Sequence, residues 1–274
     1  MQGGQWQVLY LAERLEGATV LAPEGSPLLA EARRRRLEAK PRSELERELK
    51  RADLIHAHDA NAHTTACWYA KFGRITRPLV VSRRVGFPIG RSIFSRIKYR
   101  LADRYLAVST FVAQQLRDSG VPDWKVRIVY DGIPIPAAPA RPERGRVVAV
   151  PSKYVEIPGV PVHLTKNLFD DLRTASVFLY VSKMEGLGSA AIAAMAMGVP
   201  VVASAVGGLT EVVEHERTGL IVRDGDYANA VRRLLEDPAW AKELGAASRE
   251  KAMREFSVEK MVEATLNAYN EILR

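Results

Sequence analysis

Short apolar runs, mostly β-branched, recur along the chain, and helical patterns fill the gaps between them. One series is ATVLA (18–22), DLIHAH (53–58), PLVVSR (78–83), RYLAVS (104–109) and VRIVYDG (126–132). A second is RVVAV (146–150), VPVHL (160–164), VFLYVS (177–182), VPVVAS (199–204) and GLIV (219–222). Most are apolar throughout rather than alternating, which predicts parallel strands buried on both faces. Segments 26–40, 61–72, 110–119, 167–175 and 189–197 read as helices between them. That alternation predicts α/β layers around parallel sheets.

The two series are separated by IPIPAAPARPERG (133–145), which holds four of the chain's 15 prolines. Proline fixes φ and removes a donor, so this stretch is neither helix nor central strand. It predicts a boundary between two domains, 1–134 and 135–274. From Tyr227 onward the pattern is almost wholly helical. Asp237-Pro238 marks a stop and restart, with Pro238 in the first turn of the next helix.

Composition changes this picture mainly through charge. The net charge is +8, and residues 1–140 hold 23 Lys and Arg against 14 acids, while the remainder holds 17 against 18. A basic first half points to an anionic partner: a membrane surface, a phosphorylated substrate or nucleic acid. The run Arg33–Arg36 reads as a mixed helix surface, because Glu31, Glu38 and Glu44 lie close by. Hydrophobic residues at 47% suit a globular chain, and no apolar stretch is long enough to span a bilayer. No basic segment followed by an apolar core opens the chain, so no secretory signal is expected. The single cysteine, Cys67, excludes an internal disulfide and a cysteine-based metal site and fits a reducing compartment.

The most informative chemistry lies in VFLYVSKMEGLGSAAIAAMAMGVPVVASAVGG (177–208). It reads as strand, glycine loop, helix, strand, glycine loop. Ser189 is the expected N-cap, and Gly198 the left-handed residue that ends the helix before Pro200. Glu185-Gly186-Leu187-Gly188 then precedes a helix N-terminus at the carboxyl end of a parallel strand, a place that favours phosphate. A carboxylate beside such a loop is electrostatically wasteful unless it accepts hydrogen bonds from ligand hydroxyls, so Glu185 is the expected sugar-hydroxyl acceptor. In the first half, His58 and Asp59 end one strand, and Arg83 and Arg84 end the next. The arginines suit an anionic group of donor or acceptor. A metal at His56, His58 and His63 has no second ligand cluster to support it.

The stretch EGLGSAAIAAMAMGVPVVAS resembles the nucleotide-sugar motif of retaining GT-B glycosyltransferases, specifically glycosyltransferase family 4. The resemblance continues through VGGLTEVVEHERTGLIVRDGD. In the first half it takes in GGQWQVLYLAERL, IHAHDANAH, VVSRRVGFP, SRIKYRLADRYLAVS and VRIVYDGI, which are similar to the lipopolysaccharide and envelope-glycan branch. It implies two Rossmann-like parallel-sheet domains facing a cleft, both abbreviated, the first binding acceptor and the second a nucleoside diphosphate sugar. It implies that Glu185, Arg84 and His58 act at the reacting sugar. Gly3, Gly4, Arg83, Lys183, Gly186, Leu187, Gly188 and Ser189 would contact the donor. The leaving phosphate would take the acceptor proton on the same face, with neither metal nor cofactor. The Asp-x-Asp of metal-dependent transferases is absent, and Asp170-Asp171 reads as helix surface.

Three departures from the pattern stand out. The motif's second glutamate falls on Ala193, a position that usually grips the ribose. Relatives carry a strand before the glycines at 3–4, so the natural start lies upstream or the first sheet lacks a strand. Between RVVAV and VPVHL a βα tract with an Arg/Lys phosphate grip is missing, and Lys153 there reads as a surface lysine, with a substitute for that grip as the alternative. The implied activity is retaining transfer from a nucleoside diphosphate sugar to an envelope lipid, lipopolysaccharide-type or polysaccharide acceptor. It would take place in the cytoplasm, with peripheral attachment to the inner face of the plasma membrane. The alternative is a non-catalytic sugar-nucleotide or membrane-binding protein of the same fold. No motif supports nucleic-acid binding.

Overall fold

The computed structural model describes residues 3–71, 77–90 and 92–273. Its strands, in chain order, are β1 (Thr19–Ala22), β2 (Glu38–Pro41), β3 (Ile55–Ala57), β4 (Leu79–Arg83), β5 (Arg104–Ala107) and β6 (Val126–Ile128). They continue as β7 (Val147–Ala149), β8 (Val162–Leu164), β9 (Val177–Tyr180), β10 (Val201–Ser204) and β11 (Gly219–Val222). They form three sheets, β1-β2, β3-β4-β5-β6 and β11-β10-β9-β7-β8. Every pairing is parallel. Strands β5, β7, β9, β10 and β11 are buried at every position, as continuous apolar runs require.

The chain divides into two compact units, one comprising residues up to 108, 112–132 and the segment from Met261, the other 109–111 and 133–260. The expected second domain ran to residue 274. The terminal helix (Val258–Leu273) instead crosses over: Tyr269 Oη lies 2.6 Å from His56 Nδ1, and Glu271 pairs with Arg127 at 2.8 Å and Arg104 at 3.2 Å. Sequence periodicity reports that a helix is amphipathic, not which core it covers.

The proline-rich stretch has no helix or strand, yet it is not a loose tether. Its amides at Ile133, Ala140, Arg141 and Glu143 donate to carbonyls of Phe256, Met197, Arg173 and Thr174 within the second unit. Segment 26–40 departs from the expected helix. Ser26 caps a helix that runs only from Pro27 to Arg34. Arg36 takes a left-handed φ of 61°, and the amides of Arg36 and Leu37 reach back to Arg33 and Ala32. This is a Schellman stop, after which Glu38–Pro41 becomes β2. The arginine run meets acids as expected, with Arg34 and Arg35 both bonded to Glu31. Asp171, read as surface, is a tie instead: it accepts from Thr165 Oγ1 at 2.7 Å and faces His163 at 2.9 Å and Arg146 at 3.0 Å.

In the second unit, Val147, Leu179, Val202 and Leu220 of the sheet pack with Val231, Leu234 and Leu244 of the helices. The alanine-rich helix Ser189–Ala196 lies buried against the long helix Pro238–Glu255. Gly245 makes that approach possible, because a Cβ there would stand 2.2 Å from the Gly198 carbonyl oxygen. We predict that Gly245→Ala lowers the unfolding free energy by about 2 kcal/mol in urea titrations. The backbone clash outweighs the ~1 kcal/mol that alanine gains over glycine in a helix.

Candidate functional site

The loop after β9 is shaped by glycines that allow backbone to touch backbone. A Cβ on Gly207 would stand 2.0 Å from the Glu185 carbonyl oxygen, and one on Gly208 2.2 Å from that of Gly186. The Gly208 amide donates to the Glu185 carbonyl at 3.1 Å. The helix then starts from Gly188, which has a φ of 104° and sits where a Cβ would meet Leu209 at 2.5 Å. Ser189 is therefore the first helical residue and not the cap: the cap position demands a left-handed backbone that serine rarely adopts. Among the described residues, the amides of Ser189, Ala190 and Ala191 meet no acceptor, and the first helical bond runs from Ile192 to Gly188. Free amides at a helix start, with the helix dipole behind them, make an anion-binding end.

Glu185 stands over this loop, half-buried. Its Oε2 accepts from Tyr180 Oη at 3.0 Å and pairs with Lys153 Nζ at 3.1 Å. Lys153 also donates to Ser182 Oγ at 2.7 Å and lies 5.9 Å above the Tyr180 ring. Tyr180 is buried, and burial followed by the Glu185 charge drives its phenol well above the usual range, so it stays a donor. Lys153, read as a surface lysine, thus belongs to the site. Lys183 is exposed. Leu187 turns its side chain inward, leaving only its backbone available. Ala193 is buried within the helix.

The first-half candidates gather in the other unit. Gly3 and Gly4 open the helix Gly3–Ala12, not a loop, and a Cβ on Gly4 would lie 3.6 Å from Arg84 Cδ. Arg84 donates from Nε to Asp131 at 2.8 Å, and its Nη1 lies 3.4 Å from His58 Nδ1 and 3.3 Å from the His58 carbonyl. The Gln7 side chain brackets Gly132, donating to its carbonyl at 3.0 Å and accepting from its amide at 2.9 Å. Arg83, the last residue of β4, has partners different from those of Arg84, which lies just beyond the strand. It donates to Tyr99 Oη at 2.7 Å and to the Phe87 carbonyl. Asp131 was legible only as part of the expected strand 126–132, which ends at Ile128, and nothing in the pattern tied it to Arg84.

The three histidines do not converge. His56 bonds Tyr269 and Ser82 and stacks on His58 at 3.8 Å, whereas His63 lies against Tyr99 and Tyr105. Burial, with Arg84 beside it, pushes His56 down to about 3, and burial does the same to His63. His58 is lowered well below its ordinary value by burial, His56 and Arg84. All three are neutral at pH 7, so His58 offers Arg84 a neutral ring. Among the described residues no three metal-ligating side chains converge, and no helix is long and apolar enough to cross a membrane.

The parallel-sheet units have the GT-B fold, and in the second a glycine loop leads into a bare helix N-terminus with a carboxylate beside it. Residues 1–135 match the family described as Glycosyltransferase Family 4 and residues 104–237 the family described as Glycosyl transferases group 1. It is 38% identical over 122 residues to the alpha-maltose-1-phosphate synthase of Mycolicibacterium smegmatis, covering 41% of this chain. The match spans 31% of that relative's length. Among solved structures, Anabaena Alr3699/HepE in complex with UDP-glucose is similar, with a TM-score of 0.84 at 15% identity. The alignment covers 99% of this chain and 96% of that one. The lipopolysaccharide outer core galactosyltransferase WaaB, in its apo form, is similar with a TM-score of 0.74 at 13% identity, covering 99% and 96%.

The buried histidines generate a pH prediction. Unfolding frees each to titrate near 6.5, so between about 6.5 and 3 the unfolded chain binds more protons and stability falls as pH falls. Urea midpoints should drop between pH 6.5 and 4.5, above the range where most carboxylates titrate. The double substitution His56→Gln, His63→Gln should flatten that drop, and an unchanged slope would disprove the attribution.

Proposed function

We propose that the chain is a retaining glycosyltransferase whose second unit binds a nucleoside diphosphate sugar. The observation that carries this reading is the Glu185 carboxylate held beside three free amides at a helix start. The diphosphate sits on the amides of the Gly186–Ser189 loop, and the sugar hydroxyls face Glu185. The acceptor oxygen attacks the anomeric carbon as the sugar–phosphate bond breaks, and the acceptor proton passes to the departing phosphate oxygen on the same face. Amides and cationic side chains stabilise the charge that develops there. Arg84, held by Asp131, and the neutral His58 serve as contacts for an anionic or hydroxyl group of donor or acceptor. No metal or cofactor is required. The UDP-glucose bound by HepE supports a uridine nucleotide as the first donor to test.

The acceptor proposed is an envelope lipid, lipopolysaccharide-type or polysaccharide glycan, made on the cytoplasmic side. WaaB, with its similar fold, supports the lipopolysaccharide class, and charge supports the membrane. Between Trp68 and Arg104 the sequence holds ten Lys and Arg against one acid. Trp68, Val85, Phe87 and Ile97 are exposed in the same stretch. Each basic residue near an anionic surface adds about 1 kcal/mol, and exposed aromatics suit the headgroup layer. Liposome sedimentation should therefore show binding that requires anionic lipid and weakens with salt. Equal binding to neutral vesicles would count against it.

A second reading, nucleotide-sugar binding without transfer, is favoured by Ala193 in place of the ribose-gripping glutamate. One experiment separates the two. Glu185→Ala should reduce transfer by one to two orders of magnitude, because hydrogen bonds to a charged group are worth about 1.5–3 kcal/mol. Binding of bare nucleoside diphosphate should hardly change, since its partners are backbone amides. Sugar-nucleotide binding with no turnover in the unmodified protein would establish the second reading.

A further inference from the structure

Both donors that reach the Glu185 carboxylate arrive at the same oxygen. Tyr180 Oη donates to Oε2 at 3.0 Å, and Lys153 Nζ stands 3.1 Å from that atom. Among the described residues, Oε1 accepts no hydrogen bond. Neither donor can wander. Tyr180 is the last residue of β9, buried, with its ring stacked on Phe178 at 5.9 Å. Lys153 is tied by main chain at both faces of its turn, its amide donating to Val150 and its carbonyl accepting from Val181, each at 2.9 Å. Its ammonium is also held by Ser182 Oγ, which donates in turn to the Met184 carbonyl at 2.8 Å. The Ser182 amide is anchored to Ser204 Oγ at 2.9 Å, and that hydroxyl meets Tyr227 Oη at 2.8 Å.

A carboxylate on a glutamate side chain normally turns to follow whichever hydroxyl is offered. One with a pinned oxygen cannot: its second oxygen occupies a fixed point, and a hydroxyl displaced from that point leaves it unpaired. Sites built this way reject the misplaced hydroxyl, because the polar group then loses its partner. We infer that Tyr180 and Lys153 are positioning residues that fix Glu185 so that Oε1 reads the configuration of a single donor-sugar hydroxyl. The inference rests on the nucleotide-sugar reading of this site. It assigns the pair to sugar discrimination rather than to nucleotide affinity.

The test is calorimetric titration of the full chain with UDP, UDP-glucose and its epimer UDP-galactose, and with GDP and GDP-mannose. The unmodified protein should bind one sugar nucleotide more tightly than the others. In Tyr180→Phe, affinity for the bare diphosphate should stay within about twofold, while affinity for the preferred sugar nucleotide falls about tenfold. The ratio between UDP-glucose and UDP-galactose should move towards one. Lys153→Met should behave alike, and Lys153→Arg should restore much of the ratio, which a merely structural lysine would not require. Equal losses for bare diphosphate and sugar nucleotide, or an undiminished ratio in both variants, would overturn the inference. No binding of any of these nucleotides by the unmodified protein would be a different failure, that of the site reading, and the inference would fall with it.

Discussion

The contact on which the site depends is backbone against backbone. Gly207 and Gly208 lie so close to the carbonyls of Glu185 and Gly186 that any side chain would displace the loop. That approach sets where Glu185 leaves the chain and brings the peptide to Gly188 in the left-handed conformation from which the helix starts. Carboxylate and free amides are therefore placed by one piece of packing. A second glycine pair repeats the device at the far end of the same helix. Gly198 ends it at φ 73°, and Gly245 lets the next long helix pass against it.

Much of this is visible in the sequence because parallel strands and glycine contacts leave strong marks. Continuous apolar runs located all ten expected strands, and Gly198-Val199-Pro200 marked a helix end that the structure keeps. What escaped was set by three-dimensional partnership. β2 is a polar segment, EAKP, that becomes a strand only because β1 is there to pair with it. Its signal was the turn at Arg36, a left-handed position filled by a residue that does not advertise it. The terminal helix has an amphipathic pattern, but its attachment to the first unit rests on Tyr269, Glu271 and the groups they meet.

The candidate site divides along the same line. Glu185 through Ser189 are legible because a loop of consecutive residues carries its geometry in its own spacing. Lys153 and Tyr180 are not: Tyr180 ends the strand that leads into the loop, and Lys153 reaches Glu185 from the turn after β7, which the sheet sets beside β9. A lysine in a short loop looks like any solvated lysine until the strand order is known. Arg83 and Arg84 look like one basic feature, but Arg83, the last residue of β4, donates to Tyr99 and Phe87, while Arg84, just beyond the strand, meets Asp131.

The helix Ser189–Ala196 sharpens what the site is built to do. From Ala191 to Ala196 every residue is buried, so most of its dipole lies in low-dielectric surroundings, where water screens little of it. Ser189 and Ala190, at the mouth, are only half-buried. The field therefore emerges at the end where the amides are unpaired. No capping side chain quenches it, although a serine stands one position away and a cap is ordinarily worth about 1 kcal/mol. Folding stability alone would favour capping that end. Leaving it bare is reasonable only where an outside group supplies the missing acceptors. The carboxylate of Glu185, its charge offset by Lys153, adds an acceptor for hydroxyl groups beside those amide donors.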